Sequence, residues 1–395
     1  SRYIEELPYI ASAVQKEMYP RQFSSLQEFV STLPVVSRRD LAGRLDISSI
    51  AEPKPDACRM TGGSTSEPIS LPAWKTEFQQ VAASQWLGRY WHSVLPSDRL
   101  FLLWGHSHLL GTGWRGKLNG YKRRFFDSLL GYCRASAYDL GVPALQDAAD
   151  TLLRFKPEYI YGYSVALDQF ARANQSRREA FHSLNLKCVQ ATAERFPTPE
   201  SKQIIEDVFG CPVVMEYGAM ETGHIAATEP DGDGYRVYWR DNIVEGVRQA
   251  DGTHKIVVTS LFPRATPLLR YELGDTILLK EEETQHEHVI SVRDFLDVGG
   301  RCNYGIQLED GKFFHSEVFT HCVRELAVIE AFQVVKEADQ ITVHYIAERE
   351  LAENEVEATL NRFEKVDERL HQIKIARVAE LEKSVSGKTP MIISR

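Results

Sequence analysis

With 395 residues, 43% of them hydrophobic and 26% charged, the chain has the make-up of a folded globular protein of two or three domains, which excludes disorder and fibrous repeats. Its 46 basic and 55 acidic residues leave a formal charge of −9, so no global field holds a polyanion and nucleic acid is not an expected partner; the nearest basic patch, Lys122-Arg123-Arg124, is short. No stretch approaches the roughly 20 apolar residues of a membrane span, and the start of the chain, where Ser1 reads as a processed terminus, lacks the basic and apolar regions of a signal peptide, so a cytoplasmic protein without membrane contact is expected.

In chain order, residues 1–55 mix helical periodicity with Pro20, Pro34, Pro53 and Pro55, which predicts short packing helices and a stiff extended lead into Arg59-Met60-Thr61. From about 70 to 185, helical stretches (Glu77 to Tyr90, Ala144 to Phe155) alternate with short apolar runs (Leu100 to Trp104, Tyr159 to Tyr161) that suit buried strands, an α/β pattern. Strand signals then crowd together: Lys187 to Gln190, Pro212 to Tyr217, Tyr235 to Trp239, Lys255 to Ser260, Thr276 to Leu279 and His288 to Val292, with turns at Asp231 to Gly234 and at Asp251-Gly252. More antiparallel sheet is expected there. After Gly299-Gly300 the order strand, helix, strand, strand, helix predicts a separate α+β unit of about 95 residues. The six cysteines form no CxxC pair, which fits reduced, mostly buried thiols rather than a disulfide frame or a zinc site.

Three segments carry chemistry. Thr61-Gly62-Gly63-Ser64-Thr65-Ser66-Glu67-Pro68 is a run of small residues whose amides and hydroxyls can turn toward a polyphosphate. Tyr217-Gly218-Ala219-Met220-Glu221-Thr222-Gly223 follows an apolar strand, and Arg270-Tyr271-Glu272-Leu273-Gly274-Asp275 lies in the strand-rich half. His106 and His108 share one strand face, but with no third ligand nearby they do not predict a metal site.

In this order the three motifs resemble the adenylate-forming superfamily of acyl-CoA synthetases, peptide-synthetase adenylation domains and luciferases, most of all its phenylacetate-CoA ligase-like and coenzyme F390 synthetase-like branch, over about residues 58 to 390. The resemblance implies that Thr61, Gly62, Gly63, Ser64 and Thr65 grip the β and γ phosphates of ATP, although Ser66 stands where glycine is common and Glu67 replaces a basic residue. It places Tyr217 on the adenine with Gly218 beside it, and Asp275 on both ribose hydroxyls, a task for two acceptor oxygens in one carboxylate. Glu221 takes magnesium, a hard cation that prefers carboxylate oxygen. Ala193 and Glu194, in Ala191-Thr192-Ala193-Glu194, line the adenine and acyl pockets just before a helix. The aromatics of Tyr159 to Ser164 support the fold, while one of His106 and His108, with Trp114 or Phe125, lines the acyl pocket or nucleotide cleft.

Gly300-Arg301 matches the hinge motif, with Arg301 near ribose or phosphate, although Cys302-Asn303-Tyr304 departs from the usual acidic pair. Lys388, in Gly387-Lys388, matches the catalytic lysine of a mobile C-terminal loop. Arg270 reads instead as a structural ion-pair partner. The implied architecture is α/β: a large domain of mixed sheets and helices at 1–300 that binds ATP and carboxylate, and a small mobile α+β lid at 301–395. The implied activity is that of an ATP- and magnesium-dependent acid–thiol ligase that forms an acyl-adenylate, then a thioester with CoA, from an aromatic acid. A ligase that passes the acyl group to an amine or a partner protein, and a non-catalytic nucleotide binder, are the alternatives; a homodimer is left open.

Overall fold

The computed structural model describes residues 23–41, 53–60, 70–105, 122–123, 125–137, 140–230, 232, 234–249, 254–280, 286–299, 305–308, 313–323, 326, 328–329, 331–338, 340–382 and 391–394. Along the chain, the Ser25 hydroxyl accepts the Glu28 amide at 3.1 Å and so caps α1 (Leu26–Thr32), which is followed by α2 (Arg38–Leu41). Strands β1 (Ala57–Met60) and β2 (Ser70–Ala73) lead into α3 (Lys75–Trp91). Next come β3 (Leu100–Trp104), β4 (Tyr132–Ser136), α4 (Val142–Phe155), β5 (Tyr159–Tyr163), α5 (Ser164–Ala173), α6 (Arg178–His182), β6 (Cys188–Thr192) and α7 (Ser201–Phe209). The strand-rich stretch holds β7 (Val213–Ala219), β8 (Gly223–Thr228), β9 (Tyr235–Val237), β10 (Asn242–Arg248), β11 (His254–Ser260), β12 (Tyr271–Leu278), β13 (His288–Val289), β14 (Asp294–Phe295) and β15 (Asp297–Gly299). The remainder is β16 (Gly305–Gln307), β17 (Phe313–His315), α8 (Ser316–Val323), β18 (Ala331–Glu337), β19 (Gln340–Ile346), α9 (Glu353–Val366), β20 (Lys374–Arg377) and β21 (Ile392–Ser394).

The chain divides into two compact units, one of residues 1–61, 69–92 and 215–301, the other of residues 62–68, 93–214 and 302–395. In the first unit the antiparallel β1–β2 ribbon precedes α3, and a five-stranded antiparallel sheet runs β13-β10-β11-β12-β15. The antiparallel run β7-β8-β9-β14 shares a core with that sheet, built on Ile225, Val237, Val244, Ile256, Val258, Ile277 and Phe295. The expected antiparallel half is therefore present. Its strands differ in extent from the sequence reading: β12 begins at Tyr271, because its first residues pair with β11 across an irregular register, whereas β9 stops at Val237 and β13 spans only His288–Val289.

In the second unit, β3, β4, β5 and β6 pair in parallel in the order β6-β5-β3-β4, with Leu100 opposite both Tyr132 and Tyr159, and Tyr159 opposite Cys188. Strands β5 and β6 are buried along their whole length, which explains apolar runs without alternation. Helices α4 and α5 cover the sheet through residues such as Leu152 and Phe170, and Phe101 stacks on Phe170 at 6.1 Å. The aromatics of β5 serve the core as expected: Tyr159, Tyr161 and Tyr163 are buried, and Trp104 packs on Tyr163 with ring centroids 3.9 Å apart.

The segment from 302 onward has its own core of Ile306, Phe314, Phe319, Val334, Val343 and Phe363 under a four-stranded sheet, β20-β19-β18-β21. The expected strand, helix, strand, strand, helix order is found there, with β16 added before it and β20 and β21 after it. The mixed α/β class is as expected. Among the described residues no helix is long and apolar enough to cross a membrane, and Cys58, Cys133, Cys188, Cys211 and Cys322 are free thiols.

Candidate active site

Within the first unit, the Tyr217 to Gly223 motif is the end of β7, a tight turn, and the start of β8. The register slips between Tyr217 and Gly218, so a bulge opens just before the turn. Both glycines are required by the local geometry. A Cβ on Gly218 would collide with the Gly223 carbonyl, and Gly223 has φ of +80° with a Cβ position filled by Val81.

Above this hairpin Tyr217 meets Asp275, which stands on β12 one residue after Gly274: the phenol donates to Asp275 Oδ2 at 3.0 Å. The Tyr217 ring is held edge-on by Tyr235 and Phe295, with centroids 6.4 and 6.1 Å away. Burial, with the Asp275 carboxylate next, pushes the phenol well above its ordinary range, so it remains a proton donor. Two motifs remote in sequence thus meet in one hydrogen bond that fixes how the half-buried Asp275 carboxylate is turned.

Glu221 occupies the turn itself and is only 6% exposed, with Oε1 accepting from the Tyr271 hydroxyl at 3.3 Å. Tyr271 opens the strand that carries Asp275, so β12 supports both acidic groups. A carboxylate is a suitable donor for magnesium, which binds through one or two carboxylates and substrate phosphates rather than a full protein cage. Among the described residues there is no group of three or more His, Cys, Asp or Glu side chains able to hold a metal ion.

Sequence reasoning missed what lies beneath the turn. Arg264 donates to the Glu221 and Thr222 carbonyls, Arg59 Nη1 donates to the Met220 carbonyl at 3.4 Å, and Glu77 Oε2 lies 3.5 Å from the Nε of both arginines. Burial, reinforced by Arg59, pushes Arg264 down to about 10, still charged at neutral pH. Single arginines at Phe262-Pro263-Arg264 and Cys58-Arg59 present no spacing pattern, so no signal in the sequence singles them out. Arg270 is structural, as expected. It bonds Glu245 at 3.0 and 2.9 Å, donates to the Val30 and Leu33 carbonyls that end α1, and leaves Glu245 to accept from His288 at 2.8 Å.

Ala193 and Glu194 lie in the second unit, directly after β6. Glu194 Oε1 accepts the Val165 amide at 3.3 Å, so the carboxylate caps the first turn of α5. Ala193 is exposed, with φ of +74°, a left-handed conformation that costs a residue with a Cβ roughly 1 kcal/mol. Ala193→Gly is expected to relieve that strain and raise stability by up to about 1 kcal/mol, read as a higher melting temperature; an unchanged or lower one would mean that neighbouring contacts offset the strain. Thr61, Gly62, Gly63, Ser64, Thr65, Arg301 and Lys388, together with His106, His108 and Trp114, lie outside the described residues. Phe125 is 68% exposed.

No protein-family model matches the chain. Protein CapK of Staphylococcus aureus is 24% identical over 234 residues, which cover 56% of this chain and 49% of CapK, so the chain spans about half the length of the curated relative it matches. Among solved structures, 2-hydroxyisobutyryl-CoA ligase in complex with 2-HIB-AMP and CoA in the thioesterification state superposes with a TM-score of 0.55 at 18% identity, covering 98% of this chain and 84% of that one. The same ligase in the postadenylation state with R3-HIB-AMP gives 0.53 at 17% identity, again covering 98% and 84%. The likeness is one of fold: the chain shares the mixed α/β architecture of these two structures.

Proposed function

We propose that the protein is an ATP-dependent, AMP-forming ligase of the phenylacetate-CoA ligase-like branch, which joins an aromatic carboxylic acid to the thiol of coenzyme A through an acyl-adenylate. The observation that carries this reading is the Tyr217–Asp275 hydrogen bond, which turns a carboxylate to receive a vicinal diol on the same strand that steadies Glu221. The substrate carboxylate attacks the α-phosphorus, and the α–β phosphoanhydride bond breaks to release pyrophosphate. A thiol then attacks the acyl carbon and expels AMP. Activation is needed because oxide is a poor leaving group and AMP a good one.

Magnesium, when bound, neutralises phosphate charge, and Glu221 is the residue that would hold it. Thr61, Gly62, Gly63, Ser64 and Thr65 cradle the outer phosphates, Gly218, Ala193 and Glu194 border the nucleotide and acyl pockets, and Arg301 and Lys388 bring positive charge to the reacting phosphate. Residues 1–300 act as the binding domain and 301–395 as the lid.

A pyrophosphate-release screen over aromatic and aliphatic acids, with and without coenzyme A, tests the reading. AMP and pyrophosphate are expected, dependent on a cognate aromatic acid and on magnesium, with thioester formed only when coenzyme A is present. ADP and phosphate as products would overturn the adenylate route. Full turnover with an amine in place of the thiol would move the acceptor assignment to an amide-forming ligase.

A further inference from the structure

We propose that Arg264, assisted by Arg59, is a positioning residue that fixes the Glu221 carboxylate for a divalent cation by clamping the backbone of the turn that carries it. The inference rests on the reading of Glu221 as the magnesium ligand. Three consecutive carbonyls, those of Met220, Glu221 and Thr222, accept from the two guanidiniums: Arg59 Nη1 takes the first at 3.4 Å, Arg264 Nη2 the second, and Arg264 Nη1 the third at 3.2 Å.

A tight turn between two strands needs no such support, since its carbonyls can face water. Here the clamp is built from side chains withdrawn from water, Arg59 at 4% exposure and Arg264 at 3%. Burying a guanidinium costs several kcal/mol unless partners compensate, and a packed apolar residue would stabilise the fold as well or better. The partner is Glu77, 1% exposed, whose Oε2 lies 3.5 Å from both Nε atoms while Oε1 accepts the Trp74 and Ala265 amides, each at 2.9 Å. Two positive charges therefore share one carboxylate whose oxygens are both engaged, and Glu221 supplies the second negative charge acting on Arg264.

The fork geometry explains the residue type. Adjacent carbonyls on one turn can be held by two nitrogens of one planar guanidinium, whereas a lysine presents a single point charge. With the backbone clamped from below and the carboxylate tied by the Tyr271 hydroxyl, Glu221 pays little ordering entropy on meeting a cation. Partners of this kind tune metal affinity without touching the metal.

The test measures binding rather than turnover. Calorimetry gives the affinity of β,γ-methylene ATP in excess manganese and in EDTA, and the ratio of the two is the contribution of the metal. Glu221→Gln is expected to abolish that contribution. Arg264→Lys, which keeps the charge but loses the fork, is expected to reduce it roughly tenfold while the affinity in EDTA stays unchanged. A merely structural arginine would move both affinities together or neither. The proposal is overturned if Arg264→Lys keeps the full metal contribution while Glu221→Gln loses it; if Glu221→Gln keeps it as well, the assignment of Glu221 falls and the proposal falls with it. Of the three carbonyls, Arg59→Lys releases only that of Met220, and it should show the same selective loss at smaller amplitude. It decides the matter if Arg264→Lys does not fold, a full metal contribution then counting against the clamp.

Discussion

Lys388→Ala is expected to slow acyl-adenylate formation by about 10²- to 10³-fold, the effect of removing a preorganised group aimed at developing charge. The same variant should leave thioester formation from chemically prepared acyl-adenylate nearly unchanged. The asymmetry follows from where the lysine sits. By its place in the sequence it follows the segment with its own core of Phe314, Phe319, Val334 and Phe363, and under the proposed function that segment is a lid whose rotation would deliver the lysine for the first half-reaction and withdraw it for the second. The chain on either side of the substitution is anchored: Gln333, fully buried, exchanges two hydrogen bonds of 3.1 Å with the Glu382 backbone, and Ile392 pairs with Val334. A fold defect is therefore not expected, and circular dichroism of the variant checks that. Equal loss in both half-reactions would remove the moving lid from the account.

Under the proposed function Asp275→Ala should weaken ATP binding tenfold or more, because the charge-assisted hydrogen bonds this carboxylate would make to the ribose hydroxyls are worth roughly 1.5–3 kcal/mol each. The side chain is half-buried next to an exposed glycine, so the substitution leaves no large cavity. Tyr217→Phe removes the donor that orients the carboxylate but not the acceptor itself, and its ATP affinity should fall between wild type and Asp275→Ala. Calorimetry on the three proteins orders them. Unchanged affinity in Asp275→Ala would make this acid purely structural.

Much of the fold was legible because burial imposed a simple pattern. Leu100 to Trp104 is a strand with the bounds its apolar run suggested, since a parallel strand covered on both faces needs no polar alternation. Strand β10 was not, and the reason lies in its own residues. Glu245 is 1% exposed in mid-strand, where Arg270 and His288 pair with it, and a Cβ on Gly246 would press on the His254 side chain, so neither the charge nor the glycine reads as strand from sequence. In strand β8, Gly223 to Thr228, the β-branched Ile225 and Thr228 are diluted by Gly223, Ala226 and Ala227, which are depleted in strands.

The site divides in the same way. Tyr217, Glu221 and Asp275 stand in ordered motifs that single them out in the sequence, yet only the folded chain shows the tyrosine hydroxyl on the aspartate. The resemblance implies a pocket role for Glu194, whereas the folded chain shows its carboxylate capping the Val165 amide at the start of α5, which local sequence does not reveal. Arg59, Glu77 and Arg264 escaped notice because their partnership is wholly tertiary: each is one charged residue in an unrelated segment, and only packing brings them under the turn.

In the proposed reaction an oxygen of the acid becomes bonded to the α-phosphorus of ATP. Turnover of a cognate acid labelled with ¹⁸O in its carboxylate, followed by mass spectrometry of the nucleotide and phosphate products, tests this directly. Attack on the α-phosphorus and later cleavage of the acyl–oxygen bond by the thiol leave one labelled oxygen in AMP, and that is the expected result. Label in inorganic phosphate, with AMP unlabelled or absent, would contradict it.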